Sequence, residues 1–530
     1  MRVKAWTAAM LAALLLMGCA GAQEPPAPTP APTPTPAPTP QPTPAVTAPA
    51  LSTAAESDMP TVLAGAWRQA EEDREIFRAQ GSGDIIAMET DTLYIIRRKQ
   101  VGIYHAANGG FQRLCSLDVG FYWIEARNEE GWNGCEKTPV ELFVSGDRLA
   151  VLSDWVEYSE SGTGDERLFR DLSRTVLDIF DVSDPAAPQL VASYGQDGGQ
   201  CAGYVDAEGH LWLLSRRSVY EADLAAAPSV YNSEHQMELE ADHVDIQQEG
   251  GRAQRILLGL YDLTDGVRWD TRCLVGGGTR ALLGESGVYI LGGGADAEII
   301  RYAVGSESIG LPESAAAEGA FMDAALCEAG LALVTADAGE LSFRVLSPAL
   351  DELWQRKMSG EAADWGFETD CFRLETAEGT LQLMNLDDRS LRVGTAASAD
   401  RAGRVDEKHW FTLGYTADGG ALELSLWRAG ARGTMKVSRG LLLGYTFRPA
   451  AEERRGLWRA GELLALASET GCSLYSVSSN GFTHRQDVFT ADNSAHMRYF
   501  ISGDHLYIAD TREVHALRLS DLAFVGEWFL

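Results

Sequence analysis

Basic residues are the scarce ones in this chain. Against 76 Asp and Glu there are 44 Lys and Arg, leaving a formal charge of −32. Proteins that grip nucleic acid displace counterions from phosphates with clustered Lys and Arg. A chain short of those residues is repelled by DNA, RNA and anionic lipid, so no nucleic-acid partner is expected. The acidic surplus favours solubility. Histidine is rarer still, nine in 530 residues, with no His-x-x-x-His. His235 and His243 stand eight apart, and His484, His496, His505 and His515 fall at strand-like spacing near the C-terminus. Neither pattern marks a zinc site. The eight cysteines include no Cys-x-x-Cys pair, which sets aside zinc ribbons and thioredoxin-type centres. Beyond residue 19 no stretch reaches 18 consecutive apolar residues, the length a bilayer-spanning helix needs.

Catalytic signatures are also missing. There is no Gly-x-Ser-x-Gly elbow. GGGTR at 276–280 and GGGADAE at 292–298 are not followed by Lys-Ser/Thr and do not fit the strand–Gly-x-Gly-x-x-Gly–helix frame. Both read as hairpin turns. Asp181, Asp184, Asp387 and Asp388 are the best acidic turns, but EF-hand spacing is absent. Their expected role is to hold turns through backbone N–H groups. No enzymatic activity and no cofactor follow from these residues. Seven cysteines after Cys19 are an odd, scattered set; Cys115 and Cys135 are the nearest pair and the candidate disulfide in an oxidising compartment.

What is present is concentrated first at the N-terminus. Arg2 and Lys4 precede an apolar run from Ala5 to Met17, too short for a permanent span and suited to a signal peptide. It ends Leu16-Met17-Gly18-Cys19. This resembles the bacterial lipobox, which implies diacylglyceryl transfer to the Cys19 sulfur, palmitate-type acylation and cleavage before Cys19. The alternative is an ordinary signal peptide cut after Ala20 or Ala22. Twelve of the 20 prolines then lie between Pro25 and Pro49. Proline fixes φ and pushes its predecessor to extended geometry, so the tract reads as a polyproline II spacer. At about 3.1 Å per residue it reaches roughly 80 Å. The expected organisation is therefore a signal peptide at 1–18, a lipidated Cys19 with a Pro/Thr-rich linker to residue 58, and a globular body at 59–530.

The body opens with a predicted amphipathic helix, Met59 to Gln80, carrying Val62, Leu63, Trp67 and Ala70 at helical spacing. Short strands and turns succeed it. Gly146-Asp147 feeds the apolar run from Leu149 to Leu152; TVLDIF at 175–180 leads into Asp181-Val182-Ser183-Asp184-Pro185 and then LVASY. Asp184 can take nearby N–H groups, and Pro185 stops the ladder. The same grammar returns at Gly503-Asp504-His505-Leu506-Tyr507-Ile508, then at Glu513 to Leu519. Clear copies recur about every 40 to 60 residues, the mark of a propeller or solenoid. Strands that are apolar on both faces require covering on both sides.

RTVLDIFDVSDPAAPQLVASY and YFISGDHLYIADTREVHALRLSDL resemble the secreted bacterial β-propeller family distantly related to WD-repeat proteins. The resemblance implies an all-β propeller of four-stranded antiparallel blades with a short helix before the first. Eight blades fit the period best and seven next, with the ring closed by pairing of N- and C-terminal strands. The expected protein is a monomeric lipoprotein at the extracytoplasmic face of the cell membrane, binding a protein, peptide or glycan. The other reading is a propeller-type enzyme, a hydrolase or quinone-dependent oxidoreductase, with groups converging at the central channel. Trp123, Trp132 and Trp155 sit beside loops. They are candidates for a binding face, although blade-edge aromatics more often pack between blades.

Overall fold

The computed structural model describes residues 61–62 and 78–530, apart from stretches at 127–130, 162–167, 220–226, 248–252, 396–398, 417–420, 431–432, 444–456, 469–470 and 491–496 and a few isolated positions. Residues 1–18, Cys19 and the linker to residue 58 lie outside the described residues. From residue 78 onward the described chain is built almost wholly of strands, grouped in nine sheets. Sheet 1 spans 86–118. Sheet 2 spans 121–197 and adds the hairpin of Ser229–Asn232 with His235–Glu238. Sheet 3 combines strands within 199–219 and 244–276. Sheets 4 to 9 occupy 280–317, 320–358, 362–395, 401–443, 457–489 and 498–529. Sheets 1 and 5 to 9 are four-stranded antiparallel meanders.

Side-chain alternation explains how the sheets assemble. On Gly330–Asp337, Leu331 and Leu333 point to a core shared with sheet 4, while Ala332 and Val334 point to one shared with sheet 6. On Arg148–Ser161, Leu149 and Val151 meet sheet 1, and Ala150 and Leu152 meet sheet 3. A strand sandwiched in this way must be apolar at every position. Each successive pair of sheets has its own core: 3 with 4, 6 with 7, 7 with 8, 8 with 9. The ninth sheet then packs on the first through Tyr507, Ala509, Val514 and Ala516 against Leu93, Ile95, Tyr104 and Ala106. The sheets therefore close a propeller-like ring.

Among the described residues the ring has nine sheets, not eight or seven. Sheets 1, 6 and 9 fit into 86–118, 362–395 and 498–529, each shorter than the about 40 to 60 residues separating the clear repeats, so the body holds more sheets than the eight which that period favours. Closure also differs from expectation. Among the described residues sheets 1 and 9 exchange no strand. They are joined by side chains: Arg498 pairs with Asp84 (Nη2 to Oδ1, 2.9 Å), Ser502 Oγ donates to Asp91, and Tyr507 Oη donates to Gly110 O and accepts from Gly109 N, both at 3.1 Å.

From sheet 1 to sheet 6 the first strand of each sheet, or Gly131–Ser145 in sheet 2, adjoins that of the next, and these strands form the inner side. The chain ahead of sheet 1 enters there. Arg78–Gln80 runs parallel to Arg280–Gly284 as an added inner strand of sheet 4, and Ser82 N donates to Gly203 O at 2.8 Å. Gly81 approaches sheet 3 so closely that a Cβ would sit 1.8 Å from Gly203 O. Thr61–Val62 runs parallel to Val244–Ile246 at the opposite edge of sheet 3. Thr61–Val62 and Arg78–Gln80, inside the predicted Met59–Gln80 helix, are thus strands; residues 59–60 and 63–77 lie outside the described residues. The other correction concerns GGGTR, which links the last strand of sheet 3 to the first of sheet 4 and is no hairpin. GGGADAE does turn a hairpin, between Gly287–Gly293 and Ala297–Tyr302.

Candidate functional site

Sheet 2 is longer than its neighbours. Gly131–Ser145, Arg148–Ser161 and Leu168–Asp181 extend past the ring core as paired strands, and Phe121–Ala126 adds to the edge of this arm. Strand register lines up Phe121, Lys137, Trp155 and Arg174 in one cross-strand row. Direct cross-strand neighbours share a face. The Phe121 ring meets Trp155 edge-on at 4.9 Å, and the Arg174 guanidinium lies between Trp155 at 4.0 Å and Tyr231 at 4.7 Å. Lys137 reaches the buried Asp178 carboxylate, which also accepts from Ser193 Oγ at 2.7 Å. Trp155 Nε1 donates to Glu157 at 3.0 Å. In this row the Trp155 ring is thus held between the Phe121 edge on one side and the stacked Arg174 guanidinium on the other.

The edge strand itself is the exposed part. Phe121, Tyr122, Trp123 and Ile124 are 39%, 58%, 49% and 48% exposed. Four consecutive large apolar side chains in water are unlike a solvated strand, which alternates polar and apolar residues. No further strand pairs with Phe121–Ala126 on its outer side among the described residues. Lys99 fixes its start, donating to Phe121 O at 2.8 Å, pairing with Glu136 at 3.0 Å and lying 5.0 Å from the Tyr122 ring. Of the three tryptophans that sequence position favours, Trp123 and Trp155 fall in this surface; Trp132 lies opposite Ala126 on the adjoining strand. Sequence reasoning misses Phe121, Tyr122, Ile124, Lys99 and Arg174. The run Phe-Tyr-Trp-Ile, unbroken by a polar residue just after Gly120, is the signal that could have found the first three.

The other residues weighed from sequence have plainer roles. Cys115 and Cys135 are separate thiols, not a disulfide. Cys115 belongs to sheet 1 and donates to Pro185 O at 3.3 Å, whereas Cys135 lies in the arm opposite Trp123. Burial raises the pKa of both thiols. The acidic turns behave as turns: Asp181, Asp184 and Asp388 accept from Ser183 N, Ala186 N and Ser390 N at 2.9, 3.1 and 2.8 Å. His484 and His505 contact Asp487 and Asp504 at 2.9 and 2.7 Å, and His235 is exposed in the sheet 2 hairpin. His496 and Cys19 lie outside the described residues. His243 is buried, with Nδ1 2.8 Å from Asp242 and Nε2 3.4 Å from Asp270. Beside it Arg272 grips Asp245 through Nε and Nη2 at 3.1 and 2.8 Å.

A groove of about 540 Å³ opens where the inner segment meets sheets 3 to 5, lined by Gln80, Ser82, Tyr204, Glu285, Glu328 and Pro348 among others. Its lining holds carboxylates and hydroxyls but no histidine, lysine or arginine.

No family model matches this chain, and no curated protein does. Among solved structures, a Lactobacillus plantarum protein is 12% identical with a TM-score of 0.31, covering 53% of this chain and 95% of its own. Kluyvelomyces marxianus Hsv2 is 11% identical with a TM-score of 0.30, covering 50% of this chain and 88% of its own.

Proposed function

We propose that this chain is an extracytoplasmic lipoprotein that captures a partner polypeptide on the arm of sheet 2, and that it is a binding module, not an enzyme. The observation that carries the reading is the exposed edge strand Phe121–Ala126, with its four consecutive large apolar side chains. An open edge offers unpaired backbone N–H and C=O groups to an added strand, and alternate side chains supply the contacts that select it. Trp155 and Arg174 continue the platform behind Phe121. With a formal charge of −32 on the chain, a partner segment that mixes apolar and basic residues is the complementary one. Cys19 and the Pro/Thr-rich linker would hold the ring at a distance from the membrane.

The test uses the full-length chain in detergent as bait for envelope extracts. A saturable protein partner should be retained by the wild type and lost by the double variant Phe121→Thr, Trp123→Thr, with circular dichroism unchanged. Equal capture by both forms overturns the arm as the site. Capture that survives proteolysis of the extract but not glycosidase treatment identifies a glycan and overturns the polypeptide assignment. Anchoring is tested separately: metabolic palmitate should label the wild type and not Cys19→Ser.

A further inference from the structure

Glu513 and His515 stand two apart on the third strand of sheet 9, Glu513–Arg518, so both side chains leave the same face. The outer strand Phe524–Phe529 pairs Glu527 directly with His515, which brings a second carboxylate to that face. One donor atom from each of the three lies within 4.8 Å of the others. His515 Nε2 is 3.6 Å from Glu513 Oε1. The face is turned toward sheet 8: Leu517 joins the core shared with that sheet, whereas Val514 and Ala516 face sheet 1.

The imidazole of His515 is the unusual member. The residue is 2% exposed, and neither ring nitrogen has a hydrogen-bond partner among the described residues. Leaving a buried polar group unsatisfied costs about 1–3 kcal/mol, and such groups are rare in folded proteins. Its flanking neighbours, Ile508 on the inner strand and the Phe524 ring at 6.3 Å, offer it nothing polar. The groups that do face it are two carboxylates.

We propose that Glu513, His515 and Glu527 form a binding site for a divalent first-row transition ion, zinc being the best fit. Imidazole nitrogen with carboxylate oxygen suits zinc and its neighbours, whereas calcium and magnesium take oxygen shells. Donors each about 2.0–2.2 Å from an ion stand roughly 3–3.6 Å apart, so the Glu513–His515 spacing is already that of a ligand shell. Glu527 is exposed and provides the route of entry, leaving the remaining position to water. Asp510 Oδ1 accepts from Arg512 N at 2.6 Å and Glu513 N at 2.8 Å, which fixes the turn that delivers Glu513. The bound ion ties the outer strand of the last sheet to its neighbour. This site shares no residue with the arm of sheet 2 and stands independently of the partner assigned there.

The experiment titrates zinc into the full-length chain in detergent, after chelator treatment, with metal content read by mass spectrometry and affinity by calorimetry. His515→Gln and Glu527→Gln should each weaken zinc binding by more than about tenfold, and cobalt in place of zinc should give a visible spectrum that His515→Gln abolishes. Glu527→Gln changes an exposed side chain and keeps the fold, so its result stands even where His515→Gln disturbs packing. His210→Gln and His243→Gln, in the other two His–carboxylate groupings, should leave this affinity unchanged. No uptake at micromolar zinc, uptake unaltered by both site variants, or calcium bound as tightly as zinc would each overturn the assignment.

Discussion

Two carboxylates hold His243 in its charged form. The hydrogen bond to Asp270 is the largest influence; it and the one to Asp242 outweigh burial and raise the pKa to about 8. An unfolded histidine titrates near 6.5. A group whose folded value is the higher one stabilises the fold in full below the unfolded value and ceases to do so as pH rises through the folded value. Thermal unfolding followed from about pH 6 to about pH 9 should therefore show stability falling by on the order of 1 kcal/mol, and His243→Gln should flatten that slope. An unchanged slope in the variant would assign the loss to other groups. At the same scale, Tyr507→Phe removes two hydrogen bonds between sheets 9 and 1. It should cost about 1–2 kcal/mol in denaturant titration. Little of this is legible in the sequence. Glu527 is opposite His515 only because a bulge at Ala516/Leu517 sets the register, and sequence spacing carries no record of that.

Single strands carry two kinds of position. Leu333 is fully buried between sheets 4 and 5, and Leu353 on the outer strand of the same sheet is 46% exposed. Leu333→Ala should cost about 2–5 kcal/mol, and Leu353→Ala should stay within about 0.5 kcal/mol; similar losses at the two sites would contradict the packing described. Gly471 opens a strand at φ +141° with a Cβ position 1.9 Å from Val488 O, so Gly471→Ala should destabilise by about 1–3 kcal/mol. Elements of this kind are readable where local chemistry decides them. Gly146-Asp147 and Asp184-Pro185 turn where expected, and TVLDIF lies within the strand Leu168–Asp181. The failures are those where tertiary contact overrides local preference. Thr61–Val62 and Arg78–Gln80 lie in a segment with helical spacing but pair with edges of sheets 3 and 4. GGGTR has hairpin composition, yet its neighbours belong to different sheets.

Across the whole molecule, the all-β ring is legible because strands apolar on both faces have few other ways to be covered. The number of sheets is not, since sheets 1, 6 and 9 are shorter than the period of the clear repeats. The arm is half legible, through its tryptophans, while the exposure of Phe121 to Ile124 depends on Phe121–Ala126 being an edge. Deleting residues 24–50 should leave circular dichroism and melting temperature of the ring unchanged; a loss of folded signal would make that tract part of the structure instead of a tether.

Eight of the nine inter-sheet cores join sheets consecutive along the chain, and one joins residues more than 400 positions apart, such as Ile86 and Ala516. During synthesis the first sheet must therefore keep one greasy side uncovered until the strands of sheet 9, residues 498–529, have emerged. Contacts between such distant segments are the slow ones to form, which makes this seam the place where an unfinished molecule is vulnerable to a neighbour's exposed sheet.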